Sequence, residues 1–310
     1  MENKKIQLAT TETISSNYAG ADAGRFISAA LLAPTSITNG AVEVVQDVPY
    51  KWNVPNVNLS SIVQDATCDF TPNGTLTIAD RVLTTEKFEV NMKLCKKTYR
   101  PVWQSLYKSG RFTGSFENYL TALVAANVAA SRETVIWQGV NATAGHFDGF
   151  ETTLAVDANL PAANEVTGTT LSAANIIAEL GKVKDAAGSA IFNMPGFAIR
   201  LSTAAMKFYV SAQATLGAYD AFNERKATAN FHGIPLLECS GLSDDVMIAT
   251  GSGVLWYGIE DLALGGNVRL LDQSMIDGSD NVHVVMEWGD GVQYENVSDI
   301  ITYGIVNAAN

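Results

Sequence analysis

Three histidines, three cysteines and a few clustered acids are the residues of this chain whose types could do chemistry. Their spacing argues against it. His146, His232 and His283 fall in a loop, ahead of a strand and within a strand, with no ligand-like spacing between them. Cys68, Cys95 and Cys239 are odd in number and far apart, which fits reduced, incidental thiols of a protein made in a cytosol. Asp272, Asp277 and Asp280 surround Gly278 but miss the EF-hand spacing, so a β-turn is the expected reading. Asp244-Asp245 could be half of a metal or acid/base pair, and an exposed loop explains them equally well. Gly251-Ser252-Gly253 lacks the third glycine of a phosphate-binding loop and leads into strand-like residues. There is no Walker A loop, His-Glu-x-x-His, Cys-x-x-Cys or Gly-x-Ser-x-Gly pattern. The expectation is no catalytic, cofactor-binding or metal site, no cofactor, and no enzyme.

Charge carries more information. Residues 81–111 hold eight basic side chains, Arg81, Lys87, Lys93, Lys96, Lys97, Arg100, Lys108 and Arg111, against only Glu86 and Glu89. Residues 234–310 hold Arg269 alone against twelve acids. A solvated face plus scatter is the plain reading of such runs. The sharper one is that the basic segment of one copy docks on the acidic region of the next, since complementarity of this kind sets register and partner. A net charge of −12 repels polyanions overall, which disfavours a nucleic-acid site. Charged residues are only 17% of the chain against a usual quarter or so, which points to surface hidden by oligomerisation. No apolar run approaches the ~18 residues of a membrane span, and the N-terminus reads as no signal peptide.

The elements that would carry these charges can be read from periodicity. Residues 1–48 show none that is sustained, apart from an apolar, helix-like Gly24–Leu32, and read as an arm that docks on a partner. Residues 50–100 read as strands. Phe88, Val90, Met92 and Leu94 alternate with Lys87, Glu89, Asn91 and Lys93, and Asn73-Gly74 signals a tight turn. Asp69–Cys95 is thus expected to form a long β-excursion whose edges need cover. Ser115 then caps a helix with Phe116, Leu120, Leu123, Val124, Asn127, Val128, Ser131 and Val135 on one face, stopped by Gly139. Some 23 residues give a rod of roughly 34 Å.

Beyond the Gly139–Gly149 loop, α and β patterns alternate. Ser172 heads a helix to about Ala187, with Ile176, Ile177, Leu180 and Val183 inward, and Phe197–Leu201 is a strand. Thr203 heads a second helix through Met206, Phe208, Tyr209 and Val210 to near Gly217. Strands follow at Ile234–Glu238, Val246–Ala249 and Val254–Ile259. Val282–Trp288 and Val292–Val297 flank Gly289-Asp290-Gly291, a hairpin signal, and Asp299–Val306 closes the chain as a strand.

This order of parts resembles the Hong Kong 97 fold of tailed-phage major capsid proteins. Trp137-Gln138-Gly139 with Phe147-Asp148-Gly149-Phe150 looks like that family's exit from spine helix to A-domain, and Phe231–Leu236 is similar to its Gly-x-Pro-aliphatic strand. Asp69-Phe70-Thr71, Gly74-Thr75-Leu76, Phe88-Glu89-Val90-Asn91 and Leu94-Cys95-Lys96-Lys97 resemble capsid proteins of Bacteroidetes-infecting, crAss-like phages. The resemblance implies an α+β chain. Its parts would be an N-terminal arm (1–48), an E-loop with the start of the P-domain (49–110), a P-domain spine helix (111–148), an A-domain (149–264), a P-domain sheet (265–298) and a C-terminal strand returning to the A-domain (299–310). It further implies a virion shell protein forming hexamers and pentamers around double-stranded DNA, bound without sequence specificity. The shell would be assembled in the host bacterial cytoplasm, away from membranes. Expected partners are the chain itself, a portal protein, and separate scaffolding, protease or decoration proteins. No lysine–asparagine crosslink can be matched, and an encapsulin-type nanocompartment or a cytosolic α/β enzyme are the competing readings.

Overall fold

Alternating apolar residues make the long strands of this molecule, and one strand organises the rest. The computed structural model describes residues 34–60, 63–66, 68, 75–108, 116–215, 229–260 and 269–308. Along the chain come α1 (Thr35–Thr38), β1 (Glu43–Val45), β2 (Lys51–Ser60), β3 (Thr75–Thr84), β4 (Glu86–Cys95), α2 (Lys96–Lys108) and α3 (Phe116–Gln138). Then follow α4 (Phe150–Leu154), β5 (Glu165–Val166), α5 (Ile176–Ala186), α6 (Ser189–Phe192), β6 (Ala198–Leu201) and α7 (Thr203–Thr215). The last part holds β7 (Asn230–Phe231), β8 (Ile234–Glu238), β9 (Met247–Thr250), β10 (Leu255–Ile259), β11 (Arg269–Asp272), β12 (Asn281–Tyr294) and β13 (Ile301–Tyr303). This is the mixed α+β content expected.

Strand β12 pairs with β4 over ten residues, from Asn281↔Cys95 to Asp290↔Glu86. It also pairs with β11 alongside 282–285 and with β10 alongside 290–294, while β1 joins β10 in parallel. Helix α3 covers this sheet, burying Leu120, Val124, Val128, Val135, Ile136 and Trp137 in a core shared with Val282, Val284 and Met286. A second sheet runs β5-β13-β9-β6-β8-β7. It is covered by α5 through Ile176, Leu180 and Val183, and by α7 through Met206 and Tyr209. Strand β9 joins the two cores, because successive side chains face opposite ways: Ile248 enters the first core, Met247 and Ala249 the second.

Several expectations are corrected. Gly289-Asp290-Gly291 is no hairpin turn but the middle of a continuous strand. A Cβ on Gly291 would lie 2.3 Å from the Thr84 carbonyl oxygen, so the glycine lets the β3–β4 junction pass against β12. The hairpin is formed by β2 and β3, in register from Lys51↔Thr84 to Ser60↔Thr75, and β4 belongs to the sheet instead. Asn73-Gly74, Ser115 and Gly24–Leu32 lie outside the described residues.

Residues 96–100, read as the end of a strand region, instead begin a helix that runs through Pro101 to Lys108. Within helix α3 the buried row is Leu120, Val124, Val128, Arg132, while Leu123, Asn127 and Ser131 sit one row over and face outward. Ser172 precedes its helix by a turn, and Asn175 occupies the cap position. The cap of α7 is Ser202, whose Oγ accepts from the Ala205 amide, rather than Thr203. The segment 34–48, expected within an arm, has Ala41, Val42 and Val48 buried in the subunit.

Candidate functional site

A two-stranded ribbon needs packing to hold it, and the β2–β3 ribbon has it at its foot. Among the described residues β2 and β3 pair only with each other. At the foot of the ribbon Val48, Val54 and Leu83 form a small buried cluster, with the Trp52 and Trp256 rings 5.3 Å apart beside it. Arg81 Nη2 donates to Asp157 Oδ2 at 2.6 Å, and its guanidinium stacks on the Tyr294 ring 4.4 Å from the centroid. Tyr294 Oη donates to the same carboxylate at 2.6 Å, and the Asn159 amide donates at 2.9 Å. Burial alone pushes the Asp157 carboxyl up, but hydrogen bonds from Tyr294, Asn159 and Arg81 outweigh it and hold the group at about 2.

The joint between helix α3 and the first sheet repeats the same residue types in a drier place. Arg132, from the buried row of the helix, places Nη1 3.3 Å from Asp290 Oδ1, and Nη2 donates to the Gly145 carbonyl at 2.5 Å. Tyr257 Oη donates to Asp290 Oδ2 at 2.7 Å. The guanidinium lies 4.7 Å from the Phe88 ring centroid and 5.4 Å from that of Trp288. Here burial wins over the attraction of Arg132 and the Tyr257 hydrogen bond, and pushes the Asp290 carboxyl up to about 6.

A third buried network straps the start of the described chain across both cores. Glu133 accepts from the Ser36 amide at 3.1 Å, the Ser36 hydroxyl at 2.6 Å and the Gly241 amide at 3.2 Å. Trp137 Nε1 donates to Ser36 Oγ at 2.7 Å. Asn39 Nδ2 donates to the Glu238 carbonyl, and Arg200 Nε to the Ala41 carbonyl at 2.8 Å. Arg200 also donates to the Ala198 and Thr250 carbonyls, and burial lowers its guanidinium to about 10. None of these three networks was foreseen from the sequence.

The eight basic residues separate by place. Arg81 pairs with Asp157 as above. Half-buried Lys96 pairs with buried Asp272, Lys97 lies 2.8 Å from Asp280, and Lys87 lies 3.5 Å from Glu260. Arg100 is half-buried, Lys93 and Lys108 are exposed, and Arg111 lies outside the described residues. Basic strand β4 and helix α2 thus meet the acidic C-terminal quarter inside one subunit. The acids around Gly278 belong to this arrangement: Asp272 and Asp280 face lysines, and Asp277 accepts from the Ser279 amide in a turn.

Asp245 holds the Leu171 amide, and Ser252 donates to the Pro195 carbonyl from the β9–β10 turn. His146 stays in a loop, His232 sits at positive φ in the β7–β8 turn, and His283 lies in β12 near Gln273.

No protein-family model and no curated protein matches the chain by sequence. Solved structures match it by shape. Against the capsid of a native GTA particle the TM-score is 0.55 at 14% identity, covering 97% of this chain and 96% of that one. Against the procapsid of satellite phage P4 it is 0.57 at 10%, covering 96% and 93%. Against a structure from Mycobacterium phage Bobi it is 0.55 at 14%, covering 87% and 89%. With the hairpin, the long helix and the two sheets in this order, the chain has the Hong Kong 97-type fold of phage capsid subunits.

Proposed function

We propose that this chain is the major capsid protein of a tailed double-stranded DNA bacteriophage, assembling into the hexamers and pentamers of an icosahedral head. The observation that carries the reading is coverage: the likeness to capsid subunits runs over nearly the whole of both chains, not over one shared module. A two-stranded ribbon that pairs with no third strand among the described residues supports it, since such a hairpin is marginal alone and gains by lying on a neighbour. Shell contacts that close into rings reuse the same patches at every joint. Its role is structural, its place the virion shell. Its partners are further copies of itself, a portal protein, separate scaffolding, protease or decoration proteins, and packaged DNA held without sequence readout.

Expressed alone and examined by sizing chromatography and negative-stain electron microscopy, the protein is expected to give shells, tubes or five- and six-membered rings. A small oligomer that persists with candidate scaffold and portal present would end the shell reading.

Within this reading, the exposed basic residues Lys93 and Lys108, with the outer parts of Lys87, Lys97 and Arg100, reach the acidic surface of a neighbouring copy. Arg81 and Lys96 are already engaged within the subunit, and Arg111 is assigned by continuity of charge alone. The double change Lys93→Glu and Lys108→Glu is expected to block assembly while leaving the circular dichroism of the subunit unchanged. Normal particles from that variant would refute the charge contact.

A further inference from the structure

Strand β4 is ten residues long, and among the described residues it pairs with β12 alone. Its other edge keeps backbone donors and acceptors for a further strand. Met92, on the core side of the sheet, is 39% exposed beside an apolar groove of Phe88, Val90, Val124 and Val128. We propose that β4 of a second copy fills this edge, antiparallel and centred on Asn91, as a two-fold contact between subunits.

Charge selects that occupant. Turned end for end about Asn91, the strand sets Glu89 opposite the partner's Lys93, and Lys93 opposite the partner's Glu89. Residues 87–95 of each strand are then paired. Centring on Val90 would oppose Lys87 and Lys93. Centring on Phe88 would match Glu89 to Lys87, but only residues 86–90 would overlap, and Lys87 already lies by Glu260. Lysines on an edge ordinarily keep stray strands away, and here they admit the strand whose acids match.

A mismatch inside the subunit points the same way. Glu89 stands directly opposite Glu287, and both are exposed. No cation of the described residues forms an ion pair with either. Like charges so placed repel, and the partner's Lys93 beside Glu89 would relieve them. On the opposite face of the sheet Val90 meets the partner's Met92, which covers the exposed methionine at the mouth of the groove. This deepens the neighbour contact proposed above for Lys93, yet it needs only two copies and does not depend on shells forming.

The test uses the full chain carrying Cys68→Ser and Cys95→Ser, with buried Cys239 left in place, so that one added thiol reports. At the centre of an antiparallel pair the two Cα atoms lie about 4.5–5.5 Å apart, within disulfide reach. Asn91→Cys should therefore link two copies on mild oxidation, read on a non-reducing gel, in the dispersed chain or in particles. Lys93→Cys, whose two copies would stand about 13 Å apart, should link about tenfold less. In the Asn91→Cys chain, Glu89→Lys or Lys93→Glu alone should cut linkage by about tenfold, and the two together should restore it. Glu89→Lys also removes the repulsion from Glu287, so a role confined to the subunit would leave linkage unchanged. No link from Asn91→Cys, an equal link from Lys93→Cys, or no restoration by the double change would each overturn the pairing. Shells that form without the link would overturn this contact and leave the shell reading standing.

Discussion

Arg81–Asp157–Tyr294 at the foot of the ribbon and Arg132–Asp290–Tyr257 at the helix–sheet joint are built from the same three residue types. In both, a guanidinium stacks on an aromatic ring and a tyrosine hydroxyl donates to the carboxylate. Yet one carboxyl is held at about 2 and the other is pushed up to about 6. The difference lies in donors and depth. Asp157 receives Arg81 at 2.6 Å, Tyr294 and the Asn159 amide, at the edge of solvent. Asp290 is fully buried, and its arginine stands 3.3 Å away, leaning also on the Gly145 carbonyl. A charge pair in a dry joint is thus poorly compensated, while the same pair in a well-donated rim is strongly so.

The arginines give the sharpest break between the two. Arg132→Met removes the cation paired with a fully buried carboxylate, and at pH 8 it should cost about 3–5 kcal/mol of subunit stability. At pH 5 the loss should shrink, because Asp290 can then take a proton. Arg81→Met leaves Asp157 with Tyr294 and Asn159, and Arg81 is itself partly solvated, so about 1–2 kcal/mol is expected. Urea unfolding of the dispersed subunit at the two pH values measures both. Equal costs for the two variants would remove the distinction drawn above.

Only the local half of each cluster was legible in the sequence. The alternation of 86–95 and the helical spacing of 116–138 depend on neighbours within a few residues, and both elements stand where the periodicity puts them. Nothing within a few residues marks Arg132 or Glu133, because their partners lie far away. Asp290 is 158 residues on, and Ser36 is 97 residues back. The same distance misled the reading of Gly289-Asp290-Gly291, where glycine served close packing against Thr84 and not a turn. Helix α2 was hidden by Pro101, which ordinarily breaks a helix interior. Tertiary contact, not propensity, made the decision in each case. For the candidate site the charge asymmetry was visible from composition, but composition could not say that Lys87, Lys96 and Lys97 meet acids of their own subunit.

The pH dependence of stability separates the clusters by sign. Asp157 is lower in the folded state, about 2 against 3.8, so its contribution is present above pH 3.8 and is lost as pH falls through 2. That is on the order of 2 kcal/mol. Asp290 is raised, from 3.8 to about 6, so its contribution is present below pH 3.8 and is lost as pH rises through 6. Unfolding free energies collected from pH 2 to 8 should therefore show Asp157→Asn flattening the limb below pH 4. Asp290→Asn should instead flatten the fall between pH 4 and 6, whatever it does to absolute stability. A variant that flattened the opposite limb would assign the two carboxyls the wrong way round.

The tyrosine hydroxyls test the comparison most gently. Tyr294→Phe removes one of several donors to Asp157 and should cost about 1 kcal/mol, with the carboxyl rising toward its usual range. Tyr257→Phe removes the 2.7 Å hydrogen bond to Asp290 Oδ2 and leaves that oxygen buried without it, so about 1–2 kcal/mol is expected. Carbon-detected NMR titration of the aspartate carboxyls reads both shifts directly, and unfolding reads both costs. If depth decides how much a donor matters, Tyr257→Phe is the costlier of the pair. The reverse order would mean that the rim cluster, not the dry joint, holds the subunit's shape.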